Sequence, residues 1–223
     1  SAGEWSIERL YTRPFVWGTS PSDLTWSKKG HTLVFTWNAQ GGHFMDLYAY
    51  HPDPRKLVRL TDLENVKDEL NAGEEEKDAR LRAYKAPSNG IGDFSVSNDG
   101  SRVAFSYRGD LYLVRTDGSE GPFRLTRTRT GESSPHFSPE GSRLAYTRSG
   151  QVHVQDLGNG QLWQATDVEQ ERLTGWRWSS DGRWFAYMVR RGEGRQTLIP
   201  NYSGRFVAAR PFPRSVAGDE PQE

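Results

Sequence analysis

Hydrophobic and polar positions along this chain follow a pattern that occurs four times. An apolar residue precedes a Ser-x-x-Gly segment, and an apolar run that ends in an aromatic residue follows it. Serine and glycine are turn residues, and glycine adopts a positive φ without a steric penalty. A run that is apolar on both faces favours a buried central strand. The pattern therefore predicts a strand end, a turn and a strand at 26–35, 96–105, 137–146 and 178–187.

The spacing of these copies sets the size of the repeat. Gly100, Gly141 and Gly182 follow one another at intervals of 41 residues, and Gly30 precedes Gly100 by one period plus 29 residues. Two further landmarks recur, an alternating strand pattern and a segment related to Arg-Leu-Thr-Asp; the latter lies at 59–62, 124–127 and 164–167. A period of about 40 residues with several short strands is typical of a β-propeller blade. The alternative, a β-sandwich with accidental self-similarity, does not explain three landmarks in register.

We therefore expect an all-β chain that forms a partial β-propeller of about four blades. An N-terminal lead-in occupies 1–22, and the propeller portion occupies 23–223. The insertion at 63–89 has no β character, and its acids precede its bases at helical spacing, which predicts a short helix. This helix is either a solvated excursion or a lid or docking arm. The blades are expected at about 23–62, 91–127, 133–167 and 173–210.

Four blades do not make a sealed ring, because each repeat buries its faces only against its neighbours. We expect either that the chain is part of a longer protein, with missing blades supplied by the parent, or that a second copy completes it. Exposed blade faces also favour association. The chain by itself is therefore not expected to behave as a simple monomer.

The composition of the chain argues against several classes of partner and of site. Lys and Arg total 29, Asp and Glu total 29, and the formal net charge is zero, which gives no electrostatic argument for nucleic acid or an anionic membrane. The chain has no cysteine, hence no disulfide or thiolate site. No apolar run approaches the length of about 18 residues that suits a membrane span. The compartment stays open between periplasmic or secreted and cytoplasmic.

The chain lacks the motifs of the common catalytic and cofactor sites. It has no Gly-x-Ser-x-Gly elbow, no phosphate-binding loop and no dinucleotide fingerprint. Its histidines, five in number, do not form a metal-binding spacing. We therefore expect no catalytic residue, no cofactor and no metal site within this chain.

The densest polar cluster lies at 167–172, between the third and fourth blades. Carboxylates on an inter-blade segment can face the channel and bind a cation such as the amine of a substrate. The alternative is a charged surface loop. The candidate substrate-binding residues are Asp167, Glu169 and Glu171.

The chain resembles the N-terminal β-propeller of dipeptidyl peptidase IV-type serine peptidases of the prolyl oligopeptidase clan. TolB-like propellers share the blade motifs, but the order of the blades, the insertion and the tail favour the peptidases. The similarity covers nearly the whole chain. The matching segments are Trp178-Ser179-Ser180-Asp181-Gly182, Gly109-Asp110-Leu111-Tyr112-Leu113, Arg59-Leu60-Thr61-Asp62, Glu74-Glu75-Glu76-Lys77 before Gly90-Ile91, and the tail from Tyr202 to Pro221.

This resemblance implies an eight-bladed propeller followed by an α/β-hydrolase domain that carries a Ser-Asp-His triad, with this chain as the first half of the propeller. Such a propeller admits and anchors peptides, and the hydrolase cleaves them after proline or alanine. In the family, adjacent glutamates hold the substrate amine. Here Asp167 and Val168 occupy those positions, with Glu169 next, so strict release of dipeptides is in doubt. The alternative function is a TolB- or WD-type scaffold for protein–protein interaction, without peptidase activity.

Overall fold

The computed structural model describes residues 18–41, 44–63, 90–168, 172–190, 196–201 and 208–213. Within these ranges every regular element is a β-strand. Residues 1–17 of the lead-in and residues 64–89, where the short helix is predicted, lie outside the described residues. The chain divides into two compact units, Ser1–Asp167 with Arg177–Ala186, and Val168–Trp176 with Tyr187–Glu223.

Three four-stranded antiparallel sheets lie in the first unit, and in each the strands are hydrogen-bonded in chain order. Blade 1 contains β1 (Ser22–Trp26), β2 (Leu33–Trp37), β3 (Asp46–His51) and β4 (Lys56–Arg59). Blade 2 contains β5 (Phe94–Val96), β6 (Arg102–Tyr107), β7 (Asp110–Arg115) and β8 (Phe123–Arg124). Blade 3 contains β9 (Glu132–Phe137), β10 (Arg143–Arg148), β11 (Gln151–Asp156) and β12 (Leu162–Gln164).

Two further sheets have two strands each within the described part of the chain. One pairs β13 (Arg172–Trp178) with β14 (Phe185–Arg190). The other pairs β15 (Gln196–Asn201) with β16 (Ala208–Pro213). The four Ser-x-x-Gly turns therefore lie in separate sheets rather than in one continuous sheet.

The core lies between the blades, because the second strand of blades 1, 2 and 3 is buried on both faces. In β6, Val103 and Phe105 pack with residues of blade 1, whereas Ala104 packs with Leu144 and Tyr146 of blade 3. Alternate residues of a strand point to opposite faces, so one strand serves two interfaces. This is why the runs after the turns are apolar at consecutive positions instead of alternating.

The turns of neighbouring blades also contact one another. The backbone N–H of Lys29 donates to the carbonyl of Asn98 at 2.7 Å. The side-chain Nδ2 of Asn98 in turn donates to the carbonyl of Pro139 at 2.7 Å. The Ser-x-x-Gly segments of blades 1, 2 and 3 thus form a continuous row of hydrogen-bonded turns at one end of the sheets.

Candidate functional site

A buried threonine fixes the end of each of the three complete blades. Its Oγ1 accepts the backbone N–H of the second residue of the third strand, at 2.9–3.0 Å. We call this arrangement the threonine clasp. The donor and acceptor pairs are Leu47 with Thr61, Leu111 with Thr126, and Val152 with Thr166.

In blade 1 the clasp is charged. Arg59 donates from Nη2 to Asp46 at 2.6 Å and to Asp62 at 2.8 Å, so that one guanidinium binds two carboxylates. Thr61 donates its hydroxyl to Asp46 at 2.7 Å. Burial opposes the charged form of Arg59, but the hydrogen bond that it donates to Asp46 and the charges of both acids raise its pKa above the ordinary value. The carboxylate of Asp62 therefore lies against a permanent cation.

Blade 2 has an ion pair equivalent to that between Arg59 and Asp46, but its other clasp contacts differ. Arg124 donates to Asp110, as Arg59 does to Asp46. The hydroxyl of Thr126, however, donates to Glu132 of the next blade at 2.7 Å. The position equivalent to Asp62 is a basic residue, Arg127, so that this clasp carries no unpaired acid.

In blade 3 the clasp is neutral, because glutamines replace both partners of the ion pair. Thr166 donates to Oε1 of Gln151 at 2.9 Å, and Nε2 of Gln164 donates to the carbonyl of Thr166 at 2.6 Å. Asp167 occupies the position of Asp62 and is exposed. No ion pair of Asp167 occurs within the described ranges, and the arginine that would bind it is absent.

Of the three predicted substrate-binding residues, only Asp167 can be placed. Glu169 and Glu171 lie outside the described residues, so the structure neither brings the three carboxylates together nor separates them. Val168, at the second position of the acid pair that the resemblance implies, is apolar and only 9% exposed.

The sequence pattern pointed to the segments that form the clasp but not to its chemistry. The threonine is the third residue of the recurring 59–62, 124–127 and 164–167 landmark, and this regularity was visible in the sequence. Its hydrogen bond to a strand some 14 or 15 residues earlier was not visible. Glu132 was missed altogether: its side chain is fully buried and accepts from Thr126 and Thr128.

A separate pocket of about 450 Å³ lies at the turns of blade 1. In blades 2 and 3 the corresponding turns are joined, because Thr116 N–H donates to the Ser101 carbonyl and Leu157 N–H to the Ser142 carbonyl. The corresponding residue of blade 1 is Pro52, which has no N–H to donate. The pocket does not include Asp167 among its walls, which are Trp26, Gly30, His31, His51, Pro52 and Asp53.

The described residues show no group of three or more His, Asp or Glu side chains arranged to hold a metal ion. None of them belongs to a helix that is long and apolar enough to span a membrane.

Comparison with known proteins places these features in context. No family model matches the sequence. Dipeptidyl-peptidase 5 of Arthroderma benhamiae is 29% identical over 127 residues, an alignment that covers 44% of this chain and 18% of the relative. The resemblance to a dipeptidyl peptidase propeller is confirmed. A TolB homologue of Chlorobium luteolum is 37% identical over 90 residues, which cover 38% of this chain and 20% of that protein.

A solved structure supports the fold. The crystal structure of the tricorn protease aligns with this chain at a TM-score of 0.51 and 14% identity. The alignment covers 85% of this chain and 17% of the tricorn protease chain. At that identity the likeness shows the fold alone, and it confirms an all-β partial propeller. The chain spans about a fifth of the length of the curated relatives that it matches, at 18% and 20%. It is thus a β-propeller portion that is similar in sequence to a dipeptidyl peptidase and to a TolB homologue.

Proposed function

We propose that this chain is the non-catalytic propeller portion of a serine-type dipeptidyl peptidase, which admits peptides and binds their free amino terminus. The catalytic triad and the remaining blades would belong to the parent protein, which hydrolyses peptides after proline or alanine. Asp167, with Glu169 and Glu171, would bind the ammonium group of the substrate.

The observation that carries this proposal is the carboxylate of Asp167, which is exposed and has no ion pair within the described part of the chain. At the equivalent position of blade 1, Asp62 is bound by Arg59 at 2.8 Å, so a cationic ligand would have to compete with this arginine. Asp167 has no such arginine, because residue 164 is a glutamine. An exposed carboxylate at the start of the segment between blades 3 and 4 suits an ammonium ligand.

Magnitudes indicate that one carboxylate is not enough. An exposed ion pair contributes about 0.2–1 kcal/mol, whereas charge-assisted hydrogen bonds shielded from water contribute about 1.5–3 kcal/mol. Tight binding of an amine therefore needs a second acid beside Asp167. Glu169 and Glu171 are the acids that the sequence offers within four residues of it.

The bare face of the fourth blade supports the view that further blades follow. Ala104 and Ala145 lie at the same position of the repeat, facing the next blade, and both are 0% exposed. Ala186 holds that position in β14 and is exposed. Its apolar face would be covered by a fifth blade of the parent protein or by a second copy.

The proposal is tested by peptidase kinetics on the complete protein that carries this chain. Asp167→Asn should raise KM about two- to fivefold for peptides with a free amino terminus, which corresponds to about 0.4–1 kcal/mol. Glu169→Ala should act in the same direction. KM for the N-acetylated counterparts should not change, because they carry no ammonium group.

Glu120→Gln, which removes an exposed acid from a turn of blade 2, is the matched control and should have no effect. If neither Asp167→Asn nor Glu169→Ala alters KM for free-amine peptides, the assignment of these residues is wrong.

A second candidate function is a scaffold that binds a protein partner over the propeller face. The similarity to a TolB homologue, 37% identical over 90 residues, favours it. The reading frame beyond residue 223 separates the two candidates. Four more blades and a Gly-x-Ser-x-Gly elbow support the peptidase, and their absence supports the scaffold.

A further inference from the structure

We infer that Gln151 and Gln164 are positioning residues that keep the carboxylate of Asp167 free for a cationic ligand. This inference rests on the proposed function, because it assigns the feature of blade 3 that makes Asp167 available. Neither glutamine needs to touch the ligand. Their role is to replace the charged groups that occupy the same positions in blades 1 and 2.

The comparison within the chain is direct, because the blades share one register. Arg59 of β4 pairs with Tyr48 of β3, and Gln164 of β12 pairs with His153 of β11. Tyr48 and His153 are the third residues of β3 and β11, which begin at Asp46 and Gln151. An arginine at 164 would therefore start from the same backbone position as Arg59.

The threonine bonds show that the local geometry is also the same. The clasp hydroxyl accepts from Leu47 N–H at 3.0 Å in blade 1 and from Val152 N–H at 2.9 Å in blade 3. The next backbone bonds, from Leu60 N–H to Leu47 and from Ala165 N–H to Val152, measure 2.8 and 2.7 Å. The clasps thus differ in charge and not in backbone arrangement.

In blade 1 the result of a charged clasp is seen in Asp62. Its carboxylate lies three residues after Arg59 and is bound by it, with the acid 44% exposed. Asp167 lies three residues after Gln164. The amide of Gln164 carries no charge, and its Nε2 is already used by the Thr166 carbonyl at 2.6 Å.

Gln151 stands where blade 1 has the buried carboxylate of Asp46, and as a neutral amide it does not need a cation to pair with it. A buried carboxylate at this position, such as Asp46 at 4% exposed, has to be paired with a positive charge. The neutral amide of Gln151 accepts the Thr166 hydroxyl at 2.9 Å without that requirement. With glutamine at both positions, the clasp of blade 3 forms without an arginine at residue 164.

Gln164→Arg tests the pairing directly. The new guanidinium should lie within hydrogen-bonding distance of Asp167, as that of Arg59 does of Asp62 at 2.8 Å. A crystal structure of the variant measures this without any ligand. A guanidinium at residue 164 that does not contact Asp167 would overturn the inference.

The consequence for the ligand is measured on the complete protein. Gln164→Arg should raise KM about two- to fivefold for free-amine peptides, with no change for N-acetylated ones. Gln164→Met, of similar length and no charge, should retain the KM of the unaltered protein even though it loses the bond to Thr166. If Gln164→Met impairs free-amine peptides as much as Gln164→Arg does, the role of Gln164 is structural and the inference fails.

These readouts separate the inference from the function on which it rests. If Asp167→Asn has no effect on KM, the ammonium site proposed above is wrong, and the crystal structure of Gln164→Arg still decides whether an arginine at residue 164 binds Asp167. If the arginine binds Asp167 and Gln164→Arg reproduces the effect of Asp167→Asn on KM, both are supported.

Discussion

At the scale of single residues, Gly30 shows how tightly the blades approach each other. A Cβ at this position would lie 1.7 Å from the carbonyl oxygen of Asp99 and 2.3 Å from its carbonyl carbon. The obstacle is backbone, which cannot move aside as the end of a flexible side chain can. Gly30 is therefore required by the contact between the turns of blades 1 and 2.

Gly30→Ala should destabilise the protein by about 2–4 kcal/mol, because the turns must separate to admit the methyl group. Gly121→Ala is the matched control, since a Cβ at Gly121 meets nothing within 4 Å. Urea unfolding followed by tryptophan fluorescence measures both. Equal stabilities of the two variants would contradict the tight contact.

His153 is a second residue whose setting matters. It holds the position that Tyr48 and Tyr112 hold in the other blades, and its ring stacks on Tyr146 at 6.0 Å. It is 7% exposed, and Nδ1 has no hydrogen-bond partner among the described residues. Burial, assisted by the charge of Arg148, lowers the pKa of His153 below its ordinary value.

The sign of the pH effect follows from that direction. In the unfolded chain a histidine binds a proton below about pH 6.5, whereas His153 in the folded chain stays neutral to lower pH. Its contribution to stability is therefore complete above about pH 6.5 and falls as acid is added. His153→Phe should flatten the loss of stability between about pH 7 and 5, as measured by denaturant unfolding at each pH. A pH dependence that persists unchanged would show that other groups cause it.

At the scale of elements, the threonine clasp links the third strand of blades 1, 2 and 3 to the segment that follows the fourth strand. Its hydroxyl both accepts a strand N–H and donates to a neighbouring side chain, so its removal leaves the buried N–H without this acceptor and takes one hydrogen bond from the side chain. The acceptor is a carboxylate in blade 1 and an amide in blade 3. The same threonine thus serves two electrostatic settings.

Thr61→Val should therefore cost more than Thr166→Val. Hydrogen bonds to charged groups contribute about 1.5–3 kcal/mol, and those between neutral groups about 0.5–1.5 kcal/mol. Valine keeps the shape of threonine, which makes the two variants a matched pair. Unfolding free energies that do not differ, or that differ in the opposite order, would refute the ranking.

At the scale of the whole molecule, the repeat explains why one face is bare. Blades 2 and 3 bury Ala104 and Ala145, which face the blade that follows, whereas Ala186 at the same position of β14 is exposed. Trp184, two residues earlier in the chain, is 71% exposed. Apolar surface that neighbouring blades bury is thus open to solvent at the fourth blade.

The isolated chain should associate through this face. Ala186→Glu should shift sedimentation towards a monomer, because a charge would have to be buried for the face to be covered. Leu57→Glu, at an exposed position of β4, is the control for a general effect of added charge. A compact monomer at high concentration, already without substitution, would contradict the expectation.

The sequence by itself determined the size of the repeat, the four Ser-x-x-Gly turns, the apolar strands after them and the all-β class. These features depend on neighbouring residues, through turn chemistry and the alternation of side chains along a strand. It also indicated Asp167 as a candidate binding residue, from its position between two blades.

Only the tertiary structure decided how these carboxylates are paired. Asp62 and Asp167 occupy the same place in the repeat, yet Arg59 binds Asp62, whereas no ion pair of Asp167 occurs among the described residues. It also decided that Gly30 meets the backbone of Asp99. The physical reason is that charge pairing and close packing depend on groups brought together by folding across separate strands and blades, which local sequence patterns do not specify.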